Sequence, residues 1–299
     1  MPSWQSRLIK TYFQLRRLQH PPSGMLDIEK ERAETEALAA NFGTKITLTC
    51  TPVNANGIPA EWITTPTTAA NRVMLYLHGG SYNSGSIVSH RSLAANIAHA
   101  ANTRALIIAY RLAPEHRFPA AVEDAMIAYR WLLENQFSPE QIIVAGDSCG
   151  GGLALALLLS LRETELPLPA AAVCLSPWTD LTCTGASWET NRKTDVMLDP
   201  GTLRKSAELY LGEANPRTPL ASPLYGDYHG LPPLLIQVGS EELLLTDATA
   251  FAEQAKAAGV RVTLQIWDGM QHEWHFAANI LPESRQAIEQ IGQFIQACR

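Results

Sequence analysis

Ile142-Ile143-Val144-Ala145-Gly146-Asp147-Ser148-Cys149-Gly150-Gly151, running on into the apolar residues Leu153 to Leu161, sets a serine between two hydrophobic runs. The first run reads as a buried strand and the second as a buried helix, so Ser148 falls on the turn between them. Glycines two before and two after it let the chain turn sharply enough to push the hydroxyl out of the strand end. A serine needs such exposure to attack a carbonyl. The same pentapeptide also suits a plain glycine turn with Ser148 capping the helix, and the rest of the chain must separate the two readings.

Outward from this point the chain alternates. Strands at 73–77, 104–110, 141–146, 170–176, 233–238 and 261–267 are interleaved with helices at 89–101, 119–135, 149–162, 246–258 and 283–297. This repeated β-α-β rhythm implies an α/β fold on a mainly parallel sheet, with ligands gathered at the strands' C-terminal ends. Two further strands, 45–51 and 60–65, precede it, separated by Asn54-Ala55-Asn56-Gly57. Before them come helices at 4–18 and 27–40, with Pro21 and Pro22 ending the first. That first helix spaces Trp4, Leu8, Tyr12 and Leu15 as an apolar stripe, with Arg7, Lys10, Arg16 and Arg17 elsewhere. The stripe is expected to cover another part of the protein, a membrane surface being the alternative. Residues 178–225, with Trp178, Trp188, Tyr210 and Tyr225, interrupt the rhythm and read as an inserted helical lid.

At 299 residues, 46% hydrophobic and 17% charged, the chain can bury one large core. A net charge of −6 without a basic stripe argues against nucleic acid. The five cysteines show no metal-ligand spacing and read as free thiols of a reducing compartment. No apolar stretch approaches the roughly 18 residues of a membrane span, and no signal core opens the chain. A cytoplasmic protein is expected.

A serine hydroxyl needs a base within hydrogen-bond reach and an acid that orients the base. When each sits on a loop leaving a strand's C-terminal end, the chain order is serine, acid, histidine. Of the eight histidines only His229, His272 and His275 follow Ser148. His229 precedes a strand; His272 lies in the loop just after the last one and is chosen as base, with His275 one turn later as the other candidate. The acid must leave strand 233–238. Glu242 is chosen, Asp247 follows it in preference, and Glu241 should point differently. The oxyanion that forms needs backbone N–H donors. His78-Gly79-Gly80-Ser81-Tyr82, leaving the strand at 73–77, supplies Gly79, Gly80 and Ser81, and Cys149 gives a further amide.

These residues resemble the hormone-sensitive-lipase-like esterases, bacterial family IV of the α/β-hydrolases. The resemblance rests on His78-Gly79-Gly80-Ser81, on Tyr110-Arg111-Leu112-Ala113-Pro114-Glu115-His116 with Phe118-Pro119-Ala120-Ala121 and Glu123-Asp124, and on Gly146-Asp147-Ser148-Cys149-Gly150-Gly151. It implies one α/β-hydrolase domain over 1–299 with an eight-stranded, mostly parallel sheet. A cap would be built from 1–40 and 178–225 over a catalytic core of 41–177 and 226–299. An acid three residues beyond the glycine after the seventh strand lands on Glu242, and a histidine after the eighth on His272. Arg111 and His116 read as structural. Two departures stand out: Ser81 replaces the last glycine of the usual motif, and Cys149 the alanine after the nucleophile. The second puts a thiol beside the site, where bulky thiol reagents are expected to inhibit.

The expectation is therefore a carboxylic ester hydrolase with a Ser148-His272-Glu242 triad, acting on short- to medium-chain acyl esters. No cofactor and no metal are called for. Tyr82 and Trp178 are expected to touch substrate, and the family resemblance allows a homodimer. A long-chain lipase is the alternative within the same chemistry. A small-molecule receptor that has lost its catalytic histidine would share the fold, but His272 is present.

Overall fold

A computed structural model describes residues 2–19, 26–69 and 71–298; Pro21 and Pro22 lie outside them. The strands are β1 (Thr49–Ala55), β2 (Ile58–Thr64), β3 (Val73–Leu77), β4 (Arg104–Ile108), β5 (Ile142–Asp147), β6 (Ala171–Leu175), β7 (Leu234–Gly239) and β8 (Val262–Trp267). They form one sheet in the order β1-β2-β4-β3-β5-β6-β7-β8. β1 and β2, and β2 and β4, pair antiparallel, and every other pair is parallel. This is the α/β-hydrolase sheet that the β-α rhythm and the family resemblance imply.

The first hairpin differs from expectation at both ends. Asn56 and Gly57 take positive φ, 52° and 98°, and make a two-residue turn, so the strands pair right up to Ala55 and Ile58. Such a turn fixes the register from its own position outward. β1 therefore starts at Thr49 rather than at 45, and most of the expected loop is strand.

The parallel strands alternate faces and are buried on both. Val73, Leu75 and Leu77 of β3 pack with α4 (Ala120–Glu134), α5 (Cys149–Glu163) and α8 (Leu245–Ala257). Met74 and Tyr76 pack on the other side with α3 (Ile87–Ala101) and α9 (Pro282–Ala297). Helix-covered faces explain why these strands read as continuous apolar runs. The strand order reverses between β3 and β5, since β4 lies beside β3 on one side and β5 on the other. Such a switch point opens a crevice at the C-terminal edge, and the loops carrying His78–Ser81 and Ser148 leave the sheet there.

The remaining helices are α1 (Trp4–Gln19), α2 (Ile28–Ala40), α6 (Ser187–Thr190) and α7 (Pro200–Leu211). Inside 178–225 only α6, α7 and a short turn at Pro223–Tyr225 are helical. On α1 the expectation fails. Trp4, Leu8, Tyr12 and Leu15 are all more than half exposed, and the helix turns Ser6, Ile9 and Phe13 inward instead. Polar anchors select that face: Ser3 donates to Glu283, Lys10 pairs with Glu241, and Arg17 bonds the Asp195 carbonyl and lies 3.5 Å from Asp199. Among the described residues no helix is long and apolar enough to cross a membrane.

Candidate active site

β5 delivers Ser148 to the crevice and α5 begins at the next residue. Ser148 has φ 52° and ψ −123°, a backbone conformation that costs an L-residue about 1–3 kcal/mol. Its surroundings hold it there: its N–H donates to the Leu175 carbonyl at 2.8 Å, and its own carbonyl accepts from Trp178 at 3.0 Å and Gly152 at 3.1 Å. A Cβ at Gly146 would overlap the Gly150 carbonyl, and one at Gly150 would run into the carbonyls of Leu77 and His78. The motif's glycines are therefore demanded by close backbone approach.

The structure brings Ser148, His272 and Glu242 together. His272 Nε2 lies 3.0 Å from Ser148 Oγ, and its Nδ1 lies 2.8 Å from Glu242 Oε2. Glu242 Oε1 accepts from Ser176 Oγ at 2.8 Å and from the Gly239 N–H. Both His272 and Glu242 are buried. Burial opposes charge on His272, but the adjoining Glu273 and Glu242 outweigh it and hold its pKa up at about 9.

The alternatives fall elsewhere. Asp247 accepts the N–H groups of Thr179 and Asp180 and the Trp188 indole, tying the inserted segment to α8. Glu241 bonds Lys10 and Gln271. His275 Nε2 is 2.8 Å from Gln237 Oε1, and burial pushes its pKa down to about 3. Arg111 grips Asp124 and Glu123, while His116 is exposed; neither lines the cavity at Ser148.

The loop after β3 brings Gly80 and Ser81 to that cavity. Gly80 has φ 113°, and a Cβ there would strike the Ser84 carbonyl; Ser81 follows at φ 53°. Among the described residues the N–H groups of Gly80, Ser81 and Cys149 have no partner. Gly79 corrects the expectation: its N–H is given to Asp147 Oδ2 at 3.1 Å and approaches His90 Nε2 at 3.2 Å. The loop's second and third amides stay free because its first is spent on bracing. His78 braces too: its Nδ1–H donates to the Gly79 carbonyl at 2.7 Å and its ring stacks on Tyr110 at 4.2 Å. Burial and His90 push its pKa down to about 3.

Three further expectations are corrected. Tyr82 and Trp178 are fully buried and do not line the cavity. Tyr82 stacks on Tyr210 at 3.8 Å, and Trp178 donates to the Asp180 carbonyl behind the nucleophile turn. Cys149 points its side chain away from the cavity, where Sγ accepts the Tyr82 N–H at 3.2 Å. Burial pushes the thiol up to about 12, so it is neither accessible nor ionised enough to react.

Several contributors were not visible in the sequence. Asp195, from the inserted segment, accepts from the N–H groups of Leu243 at 2.8 Å, Met197 and Leu198, and burial raises it to about 6. Asn191 Nδ2 donates to the carbonyls of Ser240 and Glu242. Together they clamp the loop that carries Glu242. On the other side Asp147 accepts from Tyr76 Oη at 2.6 Å and lies 3.1 Å from His90 Nε2. With Glu273 these make the one group among the described residues with three close metal-ligand side chains. The direct Asp147–His90 contact already uses the donor atoms a cation would need.

The cavity itself is lined near Ser148 by Gly80, Ser81, His90, His272 and Glu273. Farther out Ile9 and Phe13 of α1, Leu38 and Phe42 at α2, and Met197 and Leu198 form an apolar wall. Both expected cap pieces thus contribute to its walls.

The α/β-hydrolase fold family matches residues 74–276. An acetyl-hydrolase of Streptomyces hygroscopicus is 52% identical over 237 residues, 79% of each chain. An esterase of Acinetobacter venetianus is 35% identical over 264 residues, 88% of this chain and 87% of that one. Among solved structures, an esterase from the bacterial hormone-sensitive lipase family superposes with a TM-score of 0.94 at 45% identity, covering 100% of this chain and 99% of its own.

Proposed function

The chain belongs to the hormone-sensitive-lipase-like esterases, bacterial family IV of the α/β-hydrolase fold, and is a carboxylic ester hydrolase; we propose that it works through Ser148, His272 and Glu242 on short- to medium-chain acyl esters. Ser148 Oγ attacks the acyl carbonyl while His272 Nε2 takes its proton, and Glu242 holds Nδ1–H so that the other nitrogen faces the serine. The charge developing on the carbonyl oxygen is met by the N–H groups of Gly80, Ser81 and Cys149, fixed in place before the reaction. His272 returns the proton to the leaving alcohol. Water, deprotonated by the same nitrogen, then cleaves the acyl-serine bond and frees the acid and Ser148.

The observation that carries this reading is the continuous line Glu242–His272–Ser148, at 2.8 and 3.0 Å, ending beside backbone N–H groups that have no partner among the described residues. For the acyl group, support comes from the apolar wall close to Ser148 and from the name of the acetyl-hydrolase relative. The five free cysteines suit a reducing compartment, the cytoplasm on this reading. The test is hydrolysis of p-nitrophenyl butyrate: Ser148→Ala should abolish it while the protein stays folded, and retained turnover would refute the assignment.

A lipase is the second reading, and one observation favours it: the exposed apolar residues Trp4, Leu8, Tyr12 and Leu15 on a helix whose other face lines the site. A lipase should speed up as a long-chain ester passes its solubility limit. An esterase of the kind proposed should show falling rates with chain length and no such rise.

A further inference from the structure

We propose that Glu273 is a positioning residue acting through His272: its carboxyl group shares one proton with His272 Nε2 and so sets the pH range over which that nitrogen can take the Ser148 proton. This rests on the triad reading above.

Glu273 follows the base directly and takes φ 54° and ψ 34°, a left-handed backbone that a long side chain seldom adopts. Its Oε1 lies 3.6 Å from His272 Nε2, the nitrogen that faces Ser148, and its side chain is only 20% exposed. It lines the same cavity as Ser148 and His272. On its other side its carboxyl group lies within 4.8 Å of the Asp147 carboxyl group and of the His90 ring. Two carboxyl groups this close in a largely buried site disfavour each other's charge. Asp147 is the better placed to do so, since it is met by the Tyr76 hydroxyl, the Gly79 N–H and His90. Among the described residues no N–H donates to Glu273, and no Lys or Arg lines the cavity. Of the two carboxyl groups it is therefore Glu273 that can hold a proton. Burial, reinforced by the Asp147 charge, pushes Glu273 up to about 8.

The same number of protons has a second arrangement, with Glu273 as carboxylate beside the His272 imidazolium. In the first, the Nε2 lone pair faces Ser148 and the site is competent. In the second that lone pair is occupied and it is not. Other groups bias the choice: Glu242 and Asp195 from the far side of His272 favour the imidazolium, and His90 beyond Asp147 favours the carboxylate. Glu31 faces the same cavity from α2. Glu273 thus holds His272 between two states that a triad with one acid would not have.

Glutamine at 273 keeps the size but cannot ionise, so it mimics the protonated acid and removes the second arrangement. The experiment is the profile of kcat/KM for p-nitrophenyl butyrate from about pH 5 to pH 9 in the wild type and in Glu273→Gln. The wild-type limb should be broad, as expected for two coupled ionisations. The variant's should sharpen to one ionisation lying about one pH unit lower, giving up to about tenfold more relative activity on the acid side. Superimposable limbs would overturn the proposal, because a merely structural role would change the height of the profile and not its position or breadth. Should the variant fail to fold, the rate of Ser148 labelling by a fluorophosphonate over the same pH range in the wild type decides. A limb spanning two ionisations supports the coupling, and a simple one-proton limb overturns it. No labelling at any pH would instead overturn the assignment of Ser148 as nucleophile.

Discussion

The two halves of the cavity wall are built differently. The loops after β3, β5, β7 and β8 are fixed by buried backbone and short side-chain hydrogen bonds: Ser148 to Leu175, Gly79 to Asp147, Tyr82 to Cys149, Leu243 to Asp195. Facing them, α1 and α2 are tied down largely by long charged side chains, Lys10 to Glu241, Arg17 to Asp199 and Arg32 to Glu115, each a quarter to a half exposed. A buried donor stripped of its partner costs about 1–3 kcal/mol, whereas an exposed ion pair contributes about 0–1 kcal/mol. The chemistry therefore sits on the half that tolerates least change, and the covering half can loosen at little cost.

The hardest blow to the rigid half is Ser148→Ala. On the proposed mechanism kcat for p-nitrophenyl butyrate falls by about 10⁴-fold or more. The melting temperature stays within a few degrees, because alanine inherits the same backbone bonds. A variant that kept more than about 1% of the rate would remove the nucleophile from this half altogether.

Next come two buried acids, Glu242 just before α8 and Asp247 in its first turn. Glu242→Ala removes the partner of His272 Nδ1 and is expected to cost about 10²- to 10⁴-fold in kcat. Asp247→Ala leaves the N–H groups of Thr179 and Asp180 without their acceptor. It should lower stability by roughly 2–4 kcal/mol in a denaturant titration, with the rate per folded molecule nearly unchanged. The reverse pattern would exchange the roles of the two carboxyl groups.

What could be read beforehand follows the same division. The turn at Ser148 and the loop at His78–Ser81 impose local backbone demands, and local demands leave local marks: glycines at fixed offsets, placed after an apolar run. His272 was legible as the first histidine after the last strand, and Glu242 because the family resemblance sets the acid three residues beyond the glycine after the seventh strand, past its neighbour Glu241. Contacts between distant segments leave no such mark. Nothing in the spacing of His90, Asp147 and Glu273 tells that they meet, nor that Asp195 reaches across to the Glu242 loop. At Cys149 the chain position was read correctly, yet its amide and its thiol point to different sides. On α1 the pattern identified an apolar stripe, but polar anchors to Glu283, Glu241 and Asp199 decided which face turned inward. Aromatic content alone could not reveal that Trp178 and Tyr82 lie behind the turn rather than in front of it.

Cys149 sharpens the contrast at a middling scale. Cys149→Ala deletes the acceptor of the Tyr82 N–H and leaves a small void, costing roughly 1–3 kcal/mol of stability. A modest drop in kcat follows as the Gly80–Ser81 donors gain freedom. Because burial pushes the thiol up to about 12, bulky maleimides should leave esterase activity intact in wild type and variant alike below about pH 9. Inhibition of the wild type that disappears in Cys149→Ala would show that this loop opens to solvent.

The smallest effect belongs to the covering half. Arg17 bonds the Asp195 carbonyl at 2.8 Å and lies 3.5 Å from Asp199, so it joins the end of α1 to the segment that supplies Met197 and Leu198 to the cavity wall. Arg17→Ala removes both contacts from a side chain about a third exposed, at a cost of no more than about 1 kcal/mol. Because Arg17 touches neither His272 nor the backbone donors, kcat should hold. The apolar wall then closes less firmly on the acyl chain, so KM should rise by up to about fivefold. Raising the ionic strength screens the pair with Asp199, so salt should lift the wild-type KM toward that of the variant and leave the variant's nearly flat. A fall in kcat as large as that of Glu242→Ala would mean that α1 helps to align the catalytic loops, and the two halves of the wall would have to be treated as one rigid unit.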